Sequence, residues 1–237
     1  MGFKISMITI KNPVAQISEQ DLLAHLGFGN FILSENTTLD TCMYPCDKSI
    51  NIGTYNNCMI ICDDYQLTNI LETQARPEAL SDYENILSTL YPDSEILTVA
   101  CHSVVNYHMY SLVKAGKKIR FKSLSSGTPV RMYGEEMEEE REVYKQSVII
   151  NGERLFSARP DTEKFECYED ELMEDFTFKV AARHLGVNIY MEDGDELLTE
   201  TSFRKYKGPI VKEQKLAAKE TNTKQPRTSW FSRLFRK

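Results

Sequence analysis

The fold is decided by residues 95–124, which read EILTVACHSVVNYHMYSLVKAGKKIRFKSL. Most of this segment is apolar or alternates between apolar and polar side chains, as half-buried β-strands do. Gly116 lies between two such runs, at 104–113 and 118–124, and a glycine in that position is typical of a β-hairpin. The segment therefore predicts paired strands in the middle of the chain.

The rest of the chain mixes strand-like and helix-like patterns. We expect further strands at 3–10, 31–33, 49–62, 143–150 and 187–190, and helices at 18–26, 77–90 and 168–185. Ser18 is placed to cap the first helix, Pro77 suits the first turn of the second, and Gly186 ends the third. Because strands come in pairs as well as alternating with helices, the pattern favours an α+β fold, with a mixed or antiparallel sheet and helices packed on it.

The net charge of −7 is distributed unevenly along the 237 residues. Residues 204–237 contain eleven Lys or Arg and two Glu, a net +9, whereas residues 1–203 hold 17 basic and 33 acidic side chains, a net −16. We therefore expect an acidic globular domain at 1–203, followed at 204–237 by a flexible basic linker and an amphipathic C-terminal segment. An acidic domain repels phosphates, which argues against nucleic acid as a partner.

Composition favours a cytoplasmic protein without a cofactor. No apolar run approaches the ~18 residues of a membrane span. Residues 1–6 have no apolar region and no cleavage site of the kind that directs export. The six cysteines are expected to be reduced, because a chain of this size closes a core without disulfides. No Gly-rich phosphate loop follows a predicted strand, so nucleotide binding has no support.

The C-terminal segment is the most distinctive feature of the sequence. Helical spacing places Trp230 with Leu234 and Phe231 with Phe235 on one apolar face. Positive charge comes from Arg233, Arg236 and Lys237. Such a segment suits an anionic membrane surface, a groove on a partner protein, or the acidic domain of its own chain. A helix this short is marginal in water by itself, so its ordering requires a partner. We expect peripheral association at the inner membrane face or with a protein.

Four cysteines have a spacing that superficially resembles a zinc site, namely Cys42, Cys46, Cys58 and Cys62. If the last two lie on one strand, they share a face but are about 13 Å apart at ~3.3 Å per residue. Zinc sits ~2.3 Å from each sulfur and cannot bridge that gap. We therefore interpret them as buried thiols and expect no metal.

The residue types of nucleophilic catalysis cluster at Cys101, His102 and Ser103, with His108 nearby. Neighbouring residues of a strand point to opposite faces, so Cys101 and His102 are not expected to meet. His102 and His108 have the same parity and would share a face of a continuous strand. They are too far apart on it to act together, so His102, Ser103 and His108 remain catalytic candidates without an assigned partner.

The run His102-Ser103-Val104-Val105-Asn106-Tyr107, followed by Ser123-Leu124-Ser125 and Gly127, resembles an uncharacterised bacterial domain family. Members have a His-Ser-Val-Val strand, a hairpin, a Ser-Leu-Ser segment and a late helix. Asn106 stands where the family pattern leads us to expect Asp, and the basic segment is an addition. The resemblance implies a bacterial cytoplasmic origin and carries over no activity.

Two functional hypotheses follow. The first is a non-enzymatic binding or adaptor protein that docks through its basic aromatic C-terminal segment to a membrane surface or a protein partner. The second is a hydrolase-like enzyme with its site near His102 and the loop at 123–127, which predicts a concave pocket there.

Overall fold

The chain folds around a large antiparallel sheet. The structure, a computed structural model, describes residues 4–14, 17–44, 46–157, 164–189 and 191–209. Within these residues, nine strands form the main sheet, three more form a small sheet, and every pair of neighbouring strands is antiparallel. The predicted α+β fold with an antiparallel sheet is confirmed. The predicted C-terminal amphipathic segment lies outside the described residues.

The strands have these bounds: β1 Lys4–Lys11, β2 Ile32–Thr38, β3 Ile50–Tyr55, β4 Cys58–Asp63, β5 Glu95–His102, β6 Tyr107–Lys114, β7 Lys117–Ser125, β8 Arg131–Tyr133, β9 Ser147–Ile150, β10 Glu153–Ser157, β11 Phe165–Cys167 and β12 Ser202–Lys207. The order across the main sheet is β2-β12-β3-β4-β1-β5-β6-β7-β8, and the small sheet has the order β11-β10-β9. The segment at 95–124 supplies three adjacent strands of the main sheet, as its pattern indicates.

The helices are α1 Glu19–His25, α2 Leu39–Cys42, α3 Ile70–Thr73, α4 Asp82–Leu90, α5 Glu138–Tyr144, α6 Met173–Leu185 and α7 Asp195–Thr199. Short 3₁₀ turns occur at Ser103–Val105, Glu169–Leu172 and Glu192–Gly194. Ser18 accepts a hydrogen bond from the Asp21 amide, and Gly186 adopts φ 77° at the end of α6. Both predicted helix boundaries are therefore confirmed.

Helices cover both faces of the sheet. On β1, Ile5 and Met7 face a core layer shared with α6, whereas Ile8 and Ile10 face a second layer shared with α1 and α4. Because both faces are covered, the middle strands β1, β5 and β6 are buried along almost their whole length. We call the two sides the α6 face and the α4 face.

Two tight turns set the strand pairing. Ala115 and Gly116 both have positive φ, at 47° and 66°, which is the geometry that matches the twist of a two-residue hairpin. The predicted hairpin is therefore confirmed.

Asn56 and Asn57 form a second turn of this kind, with φ of 47° and 56°. The single strand predicted at 49–62 is therefore wrong, since the two asparagines divide it into β3 and β4.

Other predicted elements are shifted. The second helix begins at Asp82 rather than at Pro77, because the Glu84 carboxylate accepts hydrogen bonds from the amide and hydroxyl of Ser81, at 2.7 and 2.9 Å. The strand predicted at 143–150 starts only at Ser147, since α5 continues to Tyr144. The strand predicted at 187–190 is wrong over residues 187–189, which form a bend and a turn.

The strand β12 is an interior strand, between β2 and β3. The predicted domain boundary at residue 203 falls inside it. Its Phe203 ring packs against Gly53 of β3, where an added Cβ would lie 2.7 Å from the ring. Lys205 pairs with Asp47 at 2.8 Å. The first basic residues of the 204–237 segment therefore belong to the sheet.

Buried ion pairs anchor β7 on both faces. Lys118 Nζ lies 2.5 and 2.6 Å from the Glu84 carboxylate oxygens on the α4 face, and both side chains are fully buried. On the α6 face, Arg120 binds Glu140 through two hydrogen bonds of 2.9 and 2.6 Å. Removing one partner of such a pair destabilises the fold, because the remaining charge is then buried without water or a counter-ion.

We predict that Lys118→Met lowers the free energy of unfolding by about 3–5 kcal/mol, because it leaves the Glu84 carboxylate buried without a cation. Urea denaturation measures the change. Lys117→Met is the matched control, since Lys117 is exposed on the same strand, and it should change stability by no more than about 0.5 kcal/mol. Equal effects of the two substitutions would contradict this account of the ion pair.

Candidate functional site

A cavity of about 710 Å³ opens on the α4 face, at the end of β5, β6, β7 and β8. Its lining residues are Tyr65, Glu72, His102, Val105, Tyr107, Ser123, Ser125, Thr128, Pro129 and Arg131. The cavity lies where the sequence predicts a pocket, beside His102 and the loop at 123–127. Its volume falls within the range of ~300–1,000 Å³ that is typical of small-molecule sites.

The floor of the cavity follows from strand register. His102 of β5 pairs with Tyr107 of β6, and Tyr107 pairs with Ser125 of β7. Residues directly opposite each other on antiparallel strands project to the same face, so these three side chains form one row. A second row runs from Ser123 to its β8 partner, Arg131. Four polar side chains and one arginine are thus presented on a rigid surface.

The turn at Ser103–Val105 raises the rim of the cavity. Asn106 ends it in the left-handed region, at φ 46°. Asn tolerates this conformation better than most residues because its short side chain bonds locally. The turn brings Val105 to the rim, with 53% of its surface exposed, and Val104 beside it is 75% exposed.

One wall is held in place by Asp63, at the end of β4. Its buried carboxylate accepts hydrogen bonds from the Leu67 amide at 2.6 Å and from the Ser6 hydroxyl. This fixes the turn that carries Tyr65, whose φ of 54° is rare for an aromatic residue. The Tyr65 hydroxyl then donates to the Cys101 carbonyl oxygen at 2.6 Å. Left-handed backbone held by several contacts is common at binding sites.

Burial raises the pKa of Asp63 to about 6, against the hydrogen bonds from Leu67 and Ser6, which lower it. Burial likewise raises the pKa of Tyr65 and Tyr107. The Glu72 carboxylate raises the pKa of Tyr107 further by accepting from its hydroxyl, whereas Ser123 lowers it. Both phenols are therefore neutral, and their hydroxyls are already engaged by protein groups.

His102 is partly exposed and contacts the Tyr65 ring, with 6.4 Å between the ring centroids. Its Nδ1 is buried and has no hydrogen-bond partner within the part of the chain that the structure describes. Nε2 is therefore the ring nitrogen that can reach a ligand. A buried polar atom without a partner costs stability.

The other nucleophile-type residues do not join this site. Cys101 faces α6, where burial raises its pKa to about 12. His108 pairs with Cys101 and contacts the Phe176 ring of α6 at 5.3 Å. The prediction that His102 and His108 share a face is wrong, because the turn at Ser103–Val105 places them on separate strands. Burial holds the pKa of His108 at about 3.

The structure also places the four cysteines of the candidate zinc site. Cys58 and Cys62 face the α6 core from β4, Cys42 lies in α2, and Cys46 is exposed. Burial raises the pKa of Cys42 and Cys58 to about 12, so these thiols are protonated at neutral pH. No group of three or more His, Cys, Asp or Glu with metal-binding geometry occurs within the described ranges.

Sequence reasoning missed Tyr65, Glu72 and Arg131, which complete the cavity. Tyr65 and Glu72 come from the connection between β4 and α4, far from His102 in the sequence. Only the strand order β4-β1-β5 brings them close. The positive φ of Tyr65 marks this position in the structure, but no sequence pattern predicts it.

Comparisons of the chain with protein-family models, with curated proteins and with solved structures give no match. The resemblance to a bacterial domain family therefore stays a prediction. None of the helices in the described ranges has the length and hydropathy needed to cross a membrane.

We predict that Asp63 makes stability depend on pH. Its folded pKa of about 6 exceeds the ordinary value of 3.8 for an aspartate, so the folded state binds the proton more tightly than the unfolded state does. The stabilisation is complete below the unfolded pKa and is lost as pH rises through 6. Between pH 4 and pH 7, the wild type should lose roughly 2–3 kcal/mol of unfolding free energy relative to Asp63→Asn. Urea denaturation across that range measures it, and a constant difference would show that Asp63 has an ordinary pKa.

Proposed function

We propose that the domain is a binding module that takes a small molecule in the cavity above His102, Tyr107 and Ser125. The observation that carries this proposal is an open cavity with a mainly apolar lining, one histidine nitrogen free to reach a ligand, and hydroxyls along one row. Binding sites for small molecules combine these features. The proposal agrees with the non-enzymatic hypothesis drawn from the sequence. It differs in placing a binding site in the globular domain, whereas that hypothesis placed docking in the C-terminal segment.

The geometry favours binding over hydrolysis. A serine nucleophile needs a histidine within hydrogen-bond reach and a third group that orients the ring. Within the described ranges, Nδ1 of His102 has no carboxylate partner that would orient the ring. The Tyr107 hydroxyl already interacts with Glu72. The polar groups are therefore better suited to recognising a ligand than to activating a nucleophile.

We predict that filling the cavity abolishes binding while leaving the fold intact. Val105→Trp adds an indole at the rim from an exposed position, and Val104→Trp is the matched control because Val104 does not line the cavity. Saturation-transfer NMR with a library of small aromatic fragments should detect ligands for the wild type and for Val104→Trp. The same fragments should bind Val105→Trp about ten-fold more weakly or worse. If no fragment binds, or if all three proteins bind alike, the proposal fails.

A second function is favoured by the sequence of residues 210–237, which hold eight Lys or Arg, two Glu and the single Trp. We propose that this segment docks the domain to an anionic membrane surface or to a protein partner. Its basic charge remains after the residues of β12 are assigned to the sheet. Helical spacing would place Trp230, Phe231, Leu234 and Phe235 on one apolar face, and amphipathic segments bind such surfaces through apolar and basic side chains together.

We predict that deleting residues 226–237 abolishes this association and leaves the unfolding midpoint unchanged. Flotation with vesicles that contain anionic lipid, and pull-down with the full chain as bait, measure the two kinds of docking. Vesicles of neutral lipid are the control, since the attraction is partly electrostatic. Unchanged flotation and unchanged pull-down after the deletion would contradict the proposal.

A further inference from the structure

The charged groups that line the cavity differ in what they can still bind. Glu72 is the acidic residue of the lining and Arg131 is the basic one. The Arg131 guanidinium donates to three backbone carbonyls of the α3 segment, those of Leu71, Glu72 and Gln74. It also lies over the Phe121 ring, 5.7 Å from its centroid. Arg131 therefore closes the wall and has little capacity left for an anion.

The Glu72 carboxylate, in contrast, can still pair with a ligand. Its side chain is exposed, and none of the ion pairs within the described part of the chain involves it. The Tyr107 hydroxyl donates to its carboxylate, which orients the group and leaves further acceptor positions, since a carboxylate has about four. Glu72 is thus the lining residue whose charged group can still pair with a ligand, whereas the donors of Arg131 are used by backbone carbonyls.

The aromatic rings add to this preference. The hydroxyls of Tyr65 and Tyr107 are directed to the Cys101 carbonyl and to Glu72, so each tyrosine lines the cavity mainly with its ring. The face of an aromatic ring attracts a cation, by about 0.5–1 kcal/mol at exposed sites. A carboxylate beside two such rings is a combination that recognises an ammonium group attached to an apolar body.

We propose that the ligand of this cavity is a small organic cation, an amine whose ammonium group pairs with Glu72 and whose apolar or aromatic body lies against Tyr65, Tyr107 and Val105. The inference rests on the proposed binding function and names its ligand class. His102 and Ser125 then supply hydrogen bonds to polar substituents of the body. No covalent step is involved.

Three probes with nearly the same shape test the charge preference: phenethylammonium, 2-phenylethanol and phenylacetate. Isothermal titration calorimetry or NMR titration of the full chain at low ionic strength gives the three affinities. We expect the ammonium probe to bind about ten-fold more tightly than the alcohol, from one ion pair and one or two cation–π contacts. Phenylacetate should bind more weakly than the alcohol.

Glu72→Gln keeps the size of the side chain and its ability to accept from Tyr107. It should remove the part of the preference for the ammonium probe that comes from the ion pair and leave only the few-fold preference that cation–π contacts with Tyr65 and Tyr107 supply. Glu138→Gln is the matched control, because Glu138 is exposed on α5, whose buried residues pack on the α6 face. Glu138→Gln should leave all three affinities unchanged.

The outcomes separate this inference from the proposed function. A cation preference that Glu72→Gln reduces in this way supports the inference. The cation inference is overturned if the alcohol or the acid binds as tightly as the ammonium probe. It is also overturned if none of the three probes binds, while other fragments bind and lose affinity in Val105→Trp. In both cases the proposal of a binding cavity stands. If no compound of any kind binds in the cavity, both fail.

Discussion

The pairing of β5 with β6 is the constraint on which the rest of the site depends. It places His102 opposite Tyr107 and Cys101 opposite His108. Because side chains alternate between the two faces of a strand, this register sends the first pair to the α4 face and the second to the α6 face. A shift by one residue would exchange the two sets. The long stretch of interstrand hydrogen bonds and the buried residues on both faces exclude that shift.

The two faces have different consequences for function. On the α6 face, His108 and the Lys122–Glu169 pair are covered by α6 and the small sheet, and Lys122 lies about 5 Å from the rings of Tyr144 and Phe176. These charged groups are enclosed, so they act on stability and specificity of the fold. On the α4 face, short helices leave the ends of β5–β8 uncovered. That gap is the cavity, and the exposed groups around it are the ones that can recognise a ligand.

Part of this arrangement could be predicted from the sequence. Alternation at 95–124 and Gly116 located the β6–β7 hairpin, and Ser18 and Gly186 located helix ends, because these signals are local. His102 and the loop at 123–127 also indicated the position of the cavity. Local patterns did not reveal that Asn56 and Asn57 divide a strand, since asparagine adopts positive φ only in some contexts. They also could not place Ser202–Lys207 inside the sheet, because its basic side chains resemble those of the segment that follows.

The faces of the sheet on which His102 and His108 lie could not be predicted from local sequence either. Parity along the chain predicts a shared face only if the strand is continuous, and the turn at Ser103–Val105 interrupts it. The remaining parts of the site, Tyr65 and Glu72, depend on strand order. Strand order is set by packing between segments distant in sequence, so a single sequence without local markers does not determine it.

We propose the row of His102, Tyr107 and Ser125 as the floor of a binding site. Soaking crystals of the protein with a mixture of small aromatic compounds tests this role. We expect bound compounds above this row, within hydrogen-bond distance of His102 Nε2 or of the Ser125 hydroxyl. Compounds bound only elsewhere, such as in the groove of about 460 Å³ between α3 and α4, with this cavity empty, would contradict it.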